Sequence, residues 1–196
     1  MQAKFTVGKI LLFCGVVALS SCKATEPRYR MTTDAGDIQL KVYARKAPLT
    51  AANFLKYVAE KRYEGAHFYR VVRMDNQPNN QIKIEVIQGG LDSTRQASKL
   101  PAIGHETTAQ TGLLHQDGTL SMARSQPGSA NSEFFICIND QPALDYGGQR
   151  NPDGQGFAAF GKVTRGMAVV RKIQAGETDK QSLKKPVKIS SITKIK

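Results

Sequence analysis

The chain has 196 residues, of which 40% are hydrophobic, 22% charged and 7% aromatic, an ordinary composition for a packed domain and one that argues against wholesale disorder. Lys and Arg number 28 against 16 Asp and Glu, a formal charge of +12. No apolar run reaches the roughly 18–20 residues of a membrane span, three Cys cannot form a disulfide scaffold, and His67, His105 and His115 are too scattered for an evident zinc site.

Lys4 and Lys9, with no acid, precede the apolar run Ile10–Leu19. That is the pattern of an export signal, too short to span as a stable anchor. Leu19-Ser20-Ser21-Cys22 follows and resembles the lipobox of bacterial lipoproteins, in which the Cys thiol is acylated and becomes the first residue. The plainer alternative is a cleaved signal with an incidental Cys22. The lipoprotein reading divides the chain into a signal peptide over 1–21, a lipidated Cys22 with a polar tether over 22–27, and one domain over 28–196. Several acyl chains on one Cys would anchor stably, since each buried CH₂ contributes about 0.8 kcal/mol. By the same resemblance to lipoproteins, Lys23 rather than Asp after the Cys implies the outer over the inner membrane in a cell that has two, with the domain facing the periplasm. Cys14 leaves with the signal. Only Cys137 then remains free, in the run Phe134–Ile138, where a Cys is a small buried hydrophobe rather than a nucleophile.

Within the domain, Tyr29–Thr33 and Asp37–Tyr43 read as strands around an Asp34-Ala35-Gly36 hairpin turn. Pro48 precedes a helix predicted over Thr50–Arg62, with Ala51, Phe54, Leu55, Val58 and Ala59 at helical spacing, Thr50 as N-cap and Gly65 past its end. Further strands are predicted over His67–Met74, Ile82–Gln88, Thr119–Arg124, Glu133–Ile138, Ala158–Thr164 and Val187–Ile192. A second helix fits Met167–Ala175, stopped by Gly176. Segments 75–81 and 91–114 read as long loops, and the Gly-rich stretch 147–156 as a turn rather than a phosphate loop. Many short strands with two helices point to a mostly-β closed or nearly closed antiparallel barrel.

In Glu133–Ile138, Phe134, Ile136 and Ile138 share one face, and Glu133, Phe135 and Cys137 the other. If the first set fills the barrel, Phe135 lies outside, where an apolar ring is either covered by a helix or used as a site. Six Lys at 180, 184, 185, 188, 194 and 196, with no acid after Asp179, make a basic tail. It lacks the Arg and aromatic interleaving of a base-reading surface, so a solvated or membrane-facing role is expected and nucleic acid is not.

Five motifs occur in order: Phe68-Tyr69-Arg70-Val71-Val72, Gln88-Gly89-Gly90, Gly118–Arg124, Ser132–Ile138 and Phe160-Gly161-Lys162-Val163. Together they resemble the cyclophilin family of peptidyl-prolyl cis-trans isomerases over about Arg28–Ile195. The resemblance implies an eight-stranded antiparallel closed barrel capped by two α-helices, with no cofactor and no metal. It implies Arg70, Gln88 and Phe135 as catalytic residues. It implies Phe68, Val86, Ala123, Arg124, Glu133, Leu144 and Phe157 as substrate-binding residues. Val86 stands where Met is usual, Glu133 where Gln is usual, and Ala143 where many members carry Trp. Strand parity expects Phe68, Arg70 and Val72 on one face. The expected function is rotation of X–Pro bonds in exported proteins at the cell envelope. The partners would be proline-containing segments and, through the lipid, a membrane, with the protein a monomer. A barrel that holds such segments without turnover and a structural envelope lipoprotein are the alternatives.

Overall fold

The computed structural model describes residues 25–91, 95 and 98–196. The expected signal peptide over 1–21 and Cys22 lie outside the described residues. The elements are β1 (Arg28–Thr33), β2 (Gly36–Val42), α1 (Pro48–Ala59), β3 (His67–Val72), β4 (Val86–Gly90), α2 (Thr108–Thr111), β5 (Thr119–Met122), β6 (Phe134–Cys137), β7 (Ala158–Arg165), α3 (Met167–Gln174), β8 (Thr178–Asp179) and β9 (Ser182–Ile195). Strands pair antiparallel in the order β1-β2-β7-β5-β6-β4-β3-β9, and β9 pairs again with β1. Eight strands therefore close a barrel, as expected. The two-residue β8 folds back on β9 outside that ring.

The barrel closes because each strand has an apolar inner row. Met31, Ile38, Leu40, Phe68, Ile87, Leu120, Phe134, Ile136, Phe160 and Ile189 are all fully buried in one core. Each such side chain contributes about 1.5–3 kcal/mol when removed from water. Helix α1 adds Ala51 and Phe54, the latter edge-on to Phe134 with ring centroids 5.6 Å apart. Helix α3 adds Val170 and Ile173.

The helix predicted over Thr50–Arg62 starts two residues earlier, at Pro48, and ends at Ala59. Thr50 is thus inside it rather than its cap, and Ala47 at the N-cap supplies no side-chain bond. The orphan donors of the first turn go instead to Glu106, far away in sequence. Its carboxylate accepts from the Leu49 N–H at 3.1 Å, the Thr50 N–H at 2.7 Å and the Thr50 hydroxyl at 2.6 Å. A buried anion there also meets the positive end of the helix dipole. Glu106→Ala should lower stability by about 2 kcal/mol, near the top of the range for losing a cap, read as a lower urea midpoint with unchanged slope.

Three other segments differ from expectation. Strand β4 begins at Val86, not Ile82. Before it, the chain is held by the buried Gln77, whose amide donates to Arg73 O and Ile84 O and accepts from Ile84 N. The segment read as a loop over 91–114 contains the one-turn α2. Thr107 and Gln110 form a reciprocal capping box at its start. Finally, β9 begins at Ser182 and pairs with β8 across a Lys180-Gln181 turn, in which Lys180 has φ 53°. No Gly or Asn marks that turn in the sequence.

Candidate active site

Strands β3, β4, β6 and β5 lie side by side, and their registers align one row across the outer surface. Arg70 faces Gln88, Gln88 faces Phe135, and Phe135 faces Ser121. The next row carries Val72, Val86 and Cys137. Directly opposed residues project to the same side of a sheet, so both rows project away from the barrel core. Val72, Ile84, Val86, Phe135, Cys137 and Leu144 form a second apolar cluster, separate from the core, with Ala123 and Phe157 packed against it. Phe135 is therefore on the outer face, where no α-helix among the described residues covers it. Burial pushes the Cys137 thiol well above its ordinary pKa, as befits a pocket-floor hydrophobe.

Phe68 is the exception among the expected site residues. The β3–β4 register shifts between Phe68 and Arg70, and Tyr69 is the extra residue of this bulge. The bulge turns Phe68 into the barrel, where its ring meets Phe134 edge-on at 5.7 Å. Arg70 and Val72 remain outside, so the parity expected for all three holds for two. The two glycines after Gln88 have a steric reason. A Cβ on Gly90, which has φ 131°, would stand 2.5 Å from Ser132 O.

A cavity of about 140 Å³ opens on this face. Val86, Phe135, Leu144, Phe157 and Ala123 supply its apolar wall, and Arg70 and Gln88 its polar edge. Ile84 also lines it, a residue the sequence reading did not single out. Phe157 stands edge-on to Phe135 at 5.3 Å. From beneath, the His115 imidazole stacks on Phe135 at 5.9 Å. His115 Nδ1 bonds Asp145 at 2.7 Å and Nε2 bonds the Ser121 hydroxyl at 2.9 Å. The trio repeats the bonding order of a serine hydrolase, but Ser121 is fully buried. It braces the pocket floor instead.

The polar edge is a connected network. Arg70 Nη1 donates to Gln88 Oε1 at 2.7 Å. The Gln88 amide donates to Glu133 Oε2 at 2.8 Å and to the Tyr69 hydroxyl at 3.0 Å. Tyr69 itself donates to Glu133, and Lys99 Nζ lies 3.5 Å from the other carboxylate oxygen. Burial, then the bond to Glu133, raises the Tyr69 pKa, so its hydroxyl stays a donor. Burial lowers the Arg70 pKa from its ordinary value, yet a guanidinium remains protonated at neutral pH. Glu133 sits outside the main cavity, in an adjoining depression of about 330 Å³ that also touches Gln88, Ala123 and Arg124.

Arg124 lines the cavity but has four of its five N–H donors committed elsewhere. Its side chain is 1% exposed. Nη1 and Nη2 grip Asp153 at 2.7 and 2.9 Å, while Nε and Nη2 donate to Gly156 O. These bonds hold the Asp153 carboxyl down at about 2. The guanidinium also lies 5.2 Å over the Phe157 ring. Arg124 thus pins the Gly-rich 147–156 turn against the pocket it lines.

A sequence profile of the family described as "Cyclophilin type peptidyl-prolyl cis-trans isomerase/CLD" matches residues 28–194. The chain belongs to the cyclophilin family of peptidyl-prolyl cis-trans isomerases. Among its relatives, a peptidyl-prolyl cis-trans isomerase of Acinetobacter baylyi is 35% identical over 190 residues, 94% of each chain. Peptidyl-prolyl cis-trans isomerase B of Escherichia coli is 35% identical over 167 residues, 82% of this chain and 95% of that one. A solved cyclophilin of Cryptosporidium parvum superposes with a TM-score of 0.69 at 21% identity, covering 87% of this chain and 98% of its own.

In this cyclophilin, Ala143 sits in the short 3₁₀ turn Pro142–Leu144 beside the pocket. Among the described residues no group of three or more His, Cys, Asp or Glu could hold a metal ion. Besides Ile84, the sequence reading missed Tyr69, His115 and Gln181. Tyr69 stood in a quoted motif, but only the bulge turns it toward Gln88. Gln181, whose Oε1 accepts from Arg70, had no signal at all, because its turn carries no marker residue.

Proposed function

We propose that Arg70, Gln88 and Phe135 carry prolyl isomerisation in this protein, and that it serves exported polypeptides from a lipid-anchored, periplasm-facing position. The observation that carries the catalytic part is a fixed guanidinium at the edge of a small apolar pocket. An X–Pro bond rotates over a barrier of about 18–20 kcal/mol that arises from amide resonance. Twisting the bond localises the lone pair on the prolyl nitrogen. A donor held at that nitrogen binds the twisted state better than either planar isomer, which is what lowers a barrier. Arg70 suits the task because it is always charged and its fork is rigid. Phe135, Leu144, Phe157 and Val86 hold the ring and exclude water. Gln88 holds Arg70 and is itself held by Tyr69 and Glu133. A 10⁴-fold acceleration asks for about 5.5 kcal/mol, within reach of one aimed donor and an apolar site. Two-dimensional exchange NMR on a proline peptide, with and without enzyme, measures it directly. An unaltered cis–trans exchange rate would end this reading.

The anchoring part rests on the sequence of 1–23, and the domain's layout supports it. Strand β9 pairs near Arg70 at Ser182 and with Arg28 at Ile195. Its 14 residues span a contour of about 45 Å. The pocket and the end of the domain nearest Cys22 therefore belong to opposite ends of one strand, and anchoring would leave the pocket open to clients. Arg28, Lys41, Lys194 and Lys196 surround the depression at that end, a charge pattern that suits anionic headgroups. Cys22→Ser should move the protein from the membrane to the soluble fraction with unchanged specific activity. Mature wild-type protein without lipid mass on Cys22 would refute the anchor.

A further inference from the structure

Arg70 is held on two edges, and only one of them belongs to Gln88. Gln181, in the turn between β8 and β9, accepts from Arg70 Nε at 3.0 Å and from Nη2 at 2.6 Å through the same Oε1. Gln88 takes one Nη1 hydrogen. A guanidinium has five N–H groups. These three bonds leave two, one on each Nη. We infer that Gln181 is a positioning residue for isomerisation, which locks the Arg70 fork so that its two remaining N–H groups are held toward the twisted prolyl amide. The inference rests on the proposal that Arg70 is the donor to that amide.

The turn is built to hold one orientation. The Gln181 amide nitrogen donates to Asn76 O at 3.2 Å, which fixes Oε1 toward Arg70. Its backbone oxygen accepts from Val71 N at 2.9 Å, next to Arg70 in β3. Asn76 donates through its side chain to Val71 O and Lys180 O at 3.1 and 3.2 Å. Arg73 reaches Gln174 O, Gly176 O and Thr178 Oγ1 at 2.9, 3.1 and 3.2 Å. The segment that follows β3 thus clasps the β8–β9 hairpin, and the hairpin presents one carboxamide oxygen to the fork. Gln88 alone holds a single nitrogen and leaves the guanidinium free to swing about that bond. A misaimed donor still attracts the planar substrate but misses the nitrogen lone pair, so the loss falls on turnover rather than binding.

The test compares wild type, Gln181→Met and Gln181→Glu in the full mature chain, with a proline peptide followed by exchange NMR. Gln181→Met is nearly isosteric but has no oxygen, and should slow on-enzyme exchange by about tenfold while the peptide Kd moves less than about twofold. Gln181→Glu gives up the donor to Asn76 O but keeps the acceptor, whose charge now pairs with the guanidinium, and should stay within about threefold of wild type. The Arg70 ¹⁵Nε–H signal should be sharp in wild type and Gln181→Glu and broadened by solvent exchange in Gln181→Met. Adding Gln181→Met to Arg70→Ala should cost nothing more. Wild-type exchange in Gln181→Met while Arg70→Ala is slow would overturn the inference alone, as would an equal loss in the Arg70→Ala background. Wild-type exchange in Arg70→Ala would remove the catalytic reading on which it stands.

Discussion

Arg70→Ala should lower kcat/KM for a cis-proline peptide by at least about thirtyfold, roughly 2 kcal/mol of transition-state stabilisation, with the melting temperature nearly unchanged. The size follows from the chemistry: a charged donor directed at a developing lone pair in a site walled by Phe135, Leu144 and Phe157 is worth more than a bond in water. The small effect on folding follows from its surroundings. Arg70 lies on the outer face and is only partly buried, and its partners Gln88 and Gln181 are likewise half-exposed. Water can satisfy both carboxamides once the guanidinium is gone, so no buried group is orphaned. Arg70→Lys should fall between, because an ammonium keeps the charge but cannot bond Gln88 and Gln181 while offering a second edge. A protease-coupled assay beside a thermal melt checks the pair. Wild-type turnover in a folded Arg70→Ala protein would remove Arg70 from the mechanism.

Phe135→Ala should damage both activity and stability. The ring is 4% exposed and forms the wall between cavity and brace, with Phe157 edge-on above and His115 stacked below. Truncation opens the pocket into the space over His115 and removes the surface against which a proline ring would be held. A fall in kcat/KM of at least about a hundredfold, or about 2.7 kcal/mol, is expected. Stability should drop by about 3 kcal/mol, the lower end for Phe→Ala. The loss stays at that end because the new space joins an existing cavity that water can enter, and because the barrel core around Phe134 is a separate cluster. Urea titration gives the stability and the peptide assay the activity. An unchanged kcat/KM in the folded variant would take Phe135 out of the site.

How these residues came to be legible differs from one to the next. Alternation put Phe135 on the face opposite Phe134 and Ile136, because the period of a strand is two, and the barrel core decided which face is inner. Gln88 and Val86 follow the same rule on β4. Phe68 does not, because alternation assumes an unbroken ladder, and the bulge at Tyr69 reverses the faces before and after it. Nothing local marks that bulge. It is settled by the pairing of β3 with β4 on one side and β9 on the other, which is tertiary information. Arg124 illustrates a second limit. A motif shows that Arg is present beside the pocket, but not that Asp153 and Gly156 take four of its five donors from a turn some 30 residues on.

The sequence by itself determined an antiparallel barrel and the two longer helices, and through its resemblance to the family it named Arg70, Gln88 and Phe135. These rest on short-range regularities: alternation along strands, helical spacing, and motifs whose residues keep their order along the chain. Only the tertiary structure decided that Glu106 caps α1, that Tyr69 and Glu133 hold Gln88, that His115 supports Phe135, and that Gln181 grips Arg70. Each of these is a polar group brought to its partner by chain closure across tens of residues. A donor or acceptor has no periodicity that betrays its partner in advance. Its choice depends on which groups the packed barrel leaves unsatisfied, and that is known only once the barrel has closed.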